Sequence, residues 1–324
     1  MKPIVYIPAG LVVLFVILIL IYSLSNSKPV EIIEPPAIIL PPVTNTVRFA
    51  EMAPVLAVPI PQQLNFAGEE VPIGSLYVRE YLDRDLIVNT YFHSSTLLMM
   101  KRANRWFPMI EHILAEYEIP DDFKYLALIE SGLENVSSPA GARGYWQFLA
   151  NTAHEYGLEV NSAIDERDNQ EKATIAACKY LKNSYERFGN WTLVAAAYNA
   201  GNRRIAQELE RQRVDSYYDL LLNQETARYV FRILAIKTIF ENPDQYGFFL
   251  DKEFLYPPLV TEIITVNYTI KSLIDFAFEH GTNYKTLKLL NPWLKQEYLP
   301  NNSRKVYYVK IPIRVETTLQ ASGS

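Results

Sequence analysis

A chain of 324 residues, 49% of them apolar, has enough material for the cores of two or three domains. Its net charge of −5, with no long Lys/Arg block, excludes the concentrated basic face that a nucleic-acid backbone requires. The single cysteine, Cys178, excludes a disulfide framework and dithiol chemistry, and four scattered histidines (His93, His112, His154, His280) show no ligand spacing, so neither metal nor cofactor is expected.

Residues 4–24 read IVYIPAGLVVLFVILILIYSL, without a charge. At about 1.5 Å per residue such a helix crosses a hydrocarbon core of about 30 Å. We read residues 1–27 as an uncleaved membrane anchor; a signal cleaved near Ser23-Leu24-Ser25 is the alternative. No cysteine follows, which excludes a lipoprotein anchor. Eight of the twenty prolines fall between Lys28 and Pro61, in KPVEIIEPPAIILPPVTN and APVLAVPIP, so residues 28–63 are expected to be a stiff linker rather than helix or sheet. In the polyproline conformation it reaches up to roughly 100 Å; the alternative is a spacer wrapped on the folded domain.

From 64 to 256 the apolar spacing is mostly helical. Phe123, Leu126, Ala127 and Glu130 lie at i, i+3, i+4 and i+7, as do Trp191, Val194, Ala195 and Tyr198, and Thr226, Tyr229, Ile233, Ile236 and Phe240 continue a third stripe. Gly132, Gly157, Gly189, Gly201 and Pro243 mark the expected helix ends. Beyond Pro257-Pro258 the pattern changes: VTEIITVN and KVYYVKIP read as strands, SLIDFAFEHG and NYKTLKLLN as short helices, giving a βααβ module over 260–313 and a tail over 314–324. The predicted class is mainly α with this small C-terminal module.

Glu130 is the informative acid. It takes the fourth place on an apolar helical face, one step before the helix stops at Ser131-Gly132, so it is expected to point inward. A carboxyl in partly apolar surroundings keeps its proton to higher pH, as a general acid working near neutrality requires; the alternative is a helix-end Glu bending out to solvent. After it comes SSPAGARGYWQF, where Gly141 and Gly144 let backbone approach a ligand and Tyr145, Trp146 and Gln147 offer rings and an amide; the alternative is a plain turn followed by a helix from Trp146 to Tyr156. Tyr198 and Asn199 end the AAAYNAG helix, and Tyr229 sits on an inward stripe where a core tyrosine is the default. Among other acids, Glu134 lies past the helix end, and Asp165, Glu166 and Asp168 read as a solvated helix start. Twenty-two tyrosines suit a ring-stacking, polar ligand such as a sugar.

In order and spacing, Glu130-Ser131, GYWQF, AAYNAG and ETARYVFRIL resemble the lytic transglycosylases with a goose-lysozyme-like fold, over roughly 108–240. The resemblance implies a single general acid/base, Glu130, cleaving the β-1,4 bond between N-acetylmuramic acid and N-acetylglucosamine in peptidoglycan. The muramyl C6 hydroxyl then closes a 1,6-anhydro ring, so no water enters. It further implies that Ser131 orients the acid or stabilises the developing charge, that Gln147 and Asn199 hold N-acetyl or hydroxyl groups, and that Tyr198 and Tyr229 line the cleft and bond to the carboxyl. Gly144 and Tyr145 belong to the sugar cradle, with Tyr145-Trp146 departing from the usual pair. Residues 260–313 are similar to LysM glycan-binding domains but carry NYTIKSL at the first turn, so that sugar binding and a purely structural or partner-binding role both stand. These resemblances imply a place in the bacterial envelope, on the periplasmic side, tethered to the inner membrane by 4–24. Two rivals stand beside this reading: a lysozyme-type hydrolase with a water-activating acid such as Asp165, and a wall-binding protein without turnover.

Overall fold

The computed structural model describes residues 56–313. The expected membrane segment, the linker as far as residue 55 and the tail 314–324 lie outside the described residues. Among the described residues, no helix is long and apolar enough to cross a membrane.

The chain enters through a short antiparallel hairpin, β1 (Asn65–Phe66) and β2 (Glu69–Glu70), turned by Ala67 and Gly68, both at positive φ. Long helices follow: α1 (Leu76–Tyr91), α2 (His93–Glu116) and α3 (Phe123–Ser131). Gly132, in the left-handed conformation at φ +60°, ends α3. After an irregular stretch come α4 (Ala150–Glu155), α5 (Gln170–Phe188), α6 (Trp191–Ala200), α7 (Asn202–Gln212) and α8 (Gln224–Glu241). Asn169, Asn190 and Asn223 cap α5, α6 and α8, each side chain accepting a backbone N–H of the first turn.

The stripe read from the sequence understates α8. Buried side chains lie on nearly all sides of it, from Thr226 to Ile239, because α1, α3 and α6 pack around it. Ala195, Ala196 and Ala197 of α6 are fully buried and let that helix come close. Lys237, a buried lysine in this core, is paired with both carboxylate oxygens of Asp122 at 2.7 Å, and Asp122 also accepts the Ala67 N–H. Glu69 of the hairpin accepts the N–H groups of Trp191 and Thr192 at the start of α6 (2.5 and 2.9 Å), satisfying donors left open by the helix and matching its dipole. The hairpin thereby fixes the helix that ends in Tyr198 and Asn199.

Residues 56–63, read as part of a stiff linker, lie on the helical unit instead: Val58 is buried and the Pro59 carbonyl accepts the Tyr246 hydroxyl. A second correction concerns Asp165, Glu166 and Asp168. They are not a solvated helix start but a buried single turn of 3₁₀ helix, at most 6% exposed. The alternative helix from Trp146 to Tyr156 shortens to Ala150–Glu155, since Gly144 to Gln147 form turns and Phe148 bridges Arg143.

The C-terminal module is the expected βααβ: β3 (Thr261–Val266), α9 (Leu273–Glu279), α10 (Tyr284–Leu290) and β4 (Tyr307–Pro312). The strands pair antiparallel with Val266 opposite Tyr307. Its core, built on Phe276, Leu287, Trp293, Leu294 and Leu299, also takes in Ala163 and Ile164 from the helical unit. Module and helical unit therefore share hydrophobic material.

Candidate active site

Glu130 projects from the last turn of α3 into a cleft of about 640 Å³. The cleft is walled by residues of the 138–149 loop, by Tyr180, by the end of α6 at Tyr198 and Asn199, and by Glu225 at the start of α8. Glu130 is partly buried. Its Oε1 accepts the hydroxyl of Tyr229, itself 1% exposed. Burial raises the Glu130 carboxyl above the ordinary carboxylate range, and the charge of Glu225 adds to this; the Tyr229 bond and the Arg232 guanidinium pull the other way without cancelling it. Burial, reinforced by the charge of Glu130, holds the Tyr229 hydroxyl far above its usual range, so it stays a donor. The result is a carboxyl held at one oxygen and kept above the ordinary carboxylate range.

The other expected residues divide into two groups. Gln147, Tyr198 and Asn199 line the cleft with Glu130. Gln147 sits at φ +48° with Nε2 bonded to the carbonyls of Gly144 and Val136. Asn199 accepts the Thr226 hydroxyl and donates to Glu225. Tyr198 does not bond to the carboxyl: its hydroxyl donates to the Trp146 carbonyl at 2.6 Å.

Ser131, Gly144, Tyr145 and Tyr229 stand behind this surface. The Ser131 hydroxyl donates to the Tyr145 carbonyl at 2.9 Å rather than to Glu130, so it ties the end of α3 to the loop. Tyr145 packs edge-on against Trp106, and Trp146, fully buried, donates its indole N–H to Thr174. These rings anchor the loop; they do not offer it to a sugar. Gly144 is needed for the chain's own backbone and not for a ligand: at φ +80° its missing Cβ would lie 1.9 Å from the Arg167 carbonyl oxygen.

Residues 108–220 match the Transglycosylase SLT domain, and residues 262–314 match the Soluble lytic transglycosylase C-terminal LysM-like domain. Both matched segments are thus similar to parts of lytic transglycosylases. It is 27% identical over 266 residues to the Membrane-bound lytic murein transglycosylase D of Escherichia coli (strain K12), covering 79% of this chain and 57% of that protein. The same figures hold for the protein of that name from Escherichia coli O6:H1 (strain CFT073). The chain thus spans under two thirds of the length of these curated relatives.

Sequence reading missed two residues of the cleft wall. Tyr180 packs at 5.1 Å against Tyr198 and bonds to the Ala197 carbonyl. Glu225, the first residue of the ETARYV segment, is an exposed second acid in the cleft; its place beside Thr226 and Tyr229 was the available signal. Asp165, the acid considered for activating water, is not among the cleft-lining residues and forms a two-point ion pair with Arg167 (2.9 and 2.8 Å). No group of His, Cys, Asp and Glu suited to a metal ion occurs among the described residues.

Proposed function

We propose that the chain is a lytic transglycosylase that cuts the N-acetylmuramic acid–β-1,4–N-acetylglucosamine bond of peptidoglycan, with Glu130 as its single general acid/base. The observation that carries this reading is a partly buried carboxyl, its proton retained by burial, facing a sugar-sized cleft within the residues matched by the SLT family. Protonated Glu130 gives its proton to the glycosidic oxygen as the bond to the muramyl C1 breaks. The carboxylate then takes the proton of the muramyl C6 hydroxyl while that oxygen bonds to C1. The 1,6-anhydro ring closes, the proton count is restored, and no water is consumed. Tyr229 fixes one carboxyl oxygen and leaves the other for the substrate; Gln147, Tyr198 and Asn199 form the wall against which the sugars lie.

Within the family we take this chain to be of the membrane-bound D kind and to have a goose-lysozyme-like helical domain. Its site of action would be the periplasmic side of the bacterial envelope, with residues 4–24 as anchor and the LysM-like module as a second glycan contact. The mass of the mature N-terminus decides between an anchor and a cleaved signal.

Glu225 favours a second reading, a lysozyme-type hydrolase in which this acid activates water across the cleft from Glu130. Digestion of purified peptidoglycan sacculi, with released fragments weighed by mass spectrometry, separates the readings. A transglycosylase gives anhydro ends, lighter by one water, and Glu130→Gln lowers release by about a thousandfold. Reducing ends lost with Glu225→Gln would establish the hydrolase, and no release dependent on Glu130 would leave only a wall-binding protein.

A further inference from the structure

Besides the Ser131 tie to α3, the cleft loop is held by the turn at 165–168. Arg167 donates from Nη1 to the carbonyls of Gly141 and Phe148 (2.9 and 3.1 Å), gripping both arms of the loop. Arg143, in the middle of the loop, donates from Nε to Asp168 at 2.6 Å. Gly144 presses on the Arg167 backbone. The holds by Arg167, Arg143 and Gly144 all pass through this buried turn.

That turn is in turn seated on the C-terminal module. The Asp165 N–H donates to the Trp293 carbonyl (2.9 Å), and the Lys295 N–H to the Ala163 carbonyl (2.8 Å). Ile164 bridges Leu294 in β fashion. The Lys295 ammonium bonds to Asp168 at the same Oδ2 that Arg143 uses. Asp168 is 1% exposed and its other oxygen is buried without a partner. A buried carboxylate needs its cations, and here one oxygen serves two, one from the loop and one from the module.

We propose that the module braces the cleft: Lys295, acting through Asp168 and Arg143, is a positioning residue that keeps loop 137–149 in its working shape beside Glu130. The module then serves turnover itself, apart from any hold it has on glycan. This rests on the reading of the cleft as a glycan-cutting site.

The test uses Lys295→Met in the full-length chain, with Lys295→Arg as rescue and Lys285→Met, an exposed lysine on α10 of the module, as control. Two quantities are read: hydrogen exchange of the peptide spanning 137–149, and kcat and KM on soluble uncrosslinked glycan strands. Lys295→Met is expected to speed exchange in that peptide and lower kcat, each by about tenfold, with KM changed less than about twofold. Lys295→Arg restores both and Lys285→Met changes neither. Unchanged exchange, or a raised KM at constant kcat, overturns the proposal, the second outcome making the module a glycan anchor only. If the parent chain cuts no glycan, the functional reading falls while the exchange measurement still decides the brace; exchange that rises equally across the whole chain is unfolding and also counts against it.

Discussion

Glu130 and Asp165 are carboxylates of one chain in opposite settings. Glu130 faces an open cleft from the end of a helix, with a tyrosine hydroxyl as its one close partner, and burial drives its pKa up. Asp165 is buried too, and burial pushes it in the same direction. The two bonds and the charge of Arg167, with Lys295 nearby, outweigh that and hold its carboxyl below the usual range. Around Asp165 the pattern repeats: Lys172 pairs with Glu166, Lys305 with Glu159 and Lys310 with Glu171. Burial alone therefore does not raise a carboxyl's pKa; burial with few cations does. The cleft gives up stability to keep a proton available, whereas the junction with the module neutralises each of its charges and gains rigidity.

The sharpest way to break this division is at Gly144, where the two regions meet. Gly144→Ala must drive a Cβ into the Arg167 carbonyl, and we expect a loss of about 3 kcal/mol or more in chemical denaturation. Gly141→Ala, at similar φ with nothing within 4 Å, is expected to cost about 1 kcal/mol. Equal losses would mean that the loop does not depend on the junction.

Next in size is Tyr229→Phe. The hydroxyl favours the ionised carboxyl, so its removal raises the Glu130 pKa further. The basic limb of the kcat profile moves to higher pH while the maximum falls about tenfold. A limb that stays in place would show that Glu130 is not the acid being titrated.

The smallest effect concerns stability. The folded pKa of Glu130 lies above its unfolded value, so ionisation opposes folding; the opposition is absent below the unfolded pKa of about 4.3 and complete above the folded one. Glu130→Gln is therefore expected to match the parent in acid and exceed it by about 1 kcal/mol above neutrality. Thermal melts over a pH series check this, and a Gln variant weaker at every pH would contradict it.

The helices were legible because their apolar residues recur with the helical period, and the end of α3 because Gly132 adopts the left-handed conformation that the expected stop required. The inward Glu130 followed from the same pattern. The turn at 165–168 was illegible for a physical reason: charged residues in sequence read as solvated, and their burial depends on cations such as Lys295, more than a hundred residues away, which no local pattern exposes. Tyr145 and Trp146 misled similarly, since a ring beside a glycine loop looks like a ligand platform until Trp106 and Thr174 claim it.

The central claim is that one carboxyl suffices because the substrate supplies its own nucleophile. Digesting glycan strands in water enriched in heavy oxygen tests this most directly. The account predicts new muramyl ends free of the label and lighter by one water than hydrolysed ends. Label carried at the muramyl C1 of the released fragments would contradict it.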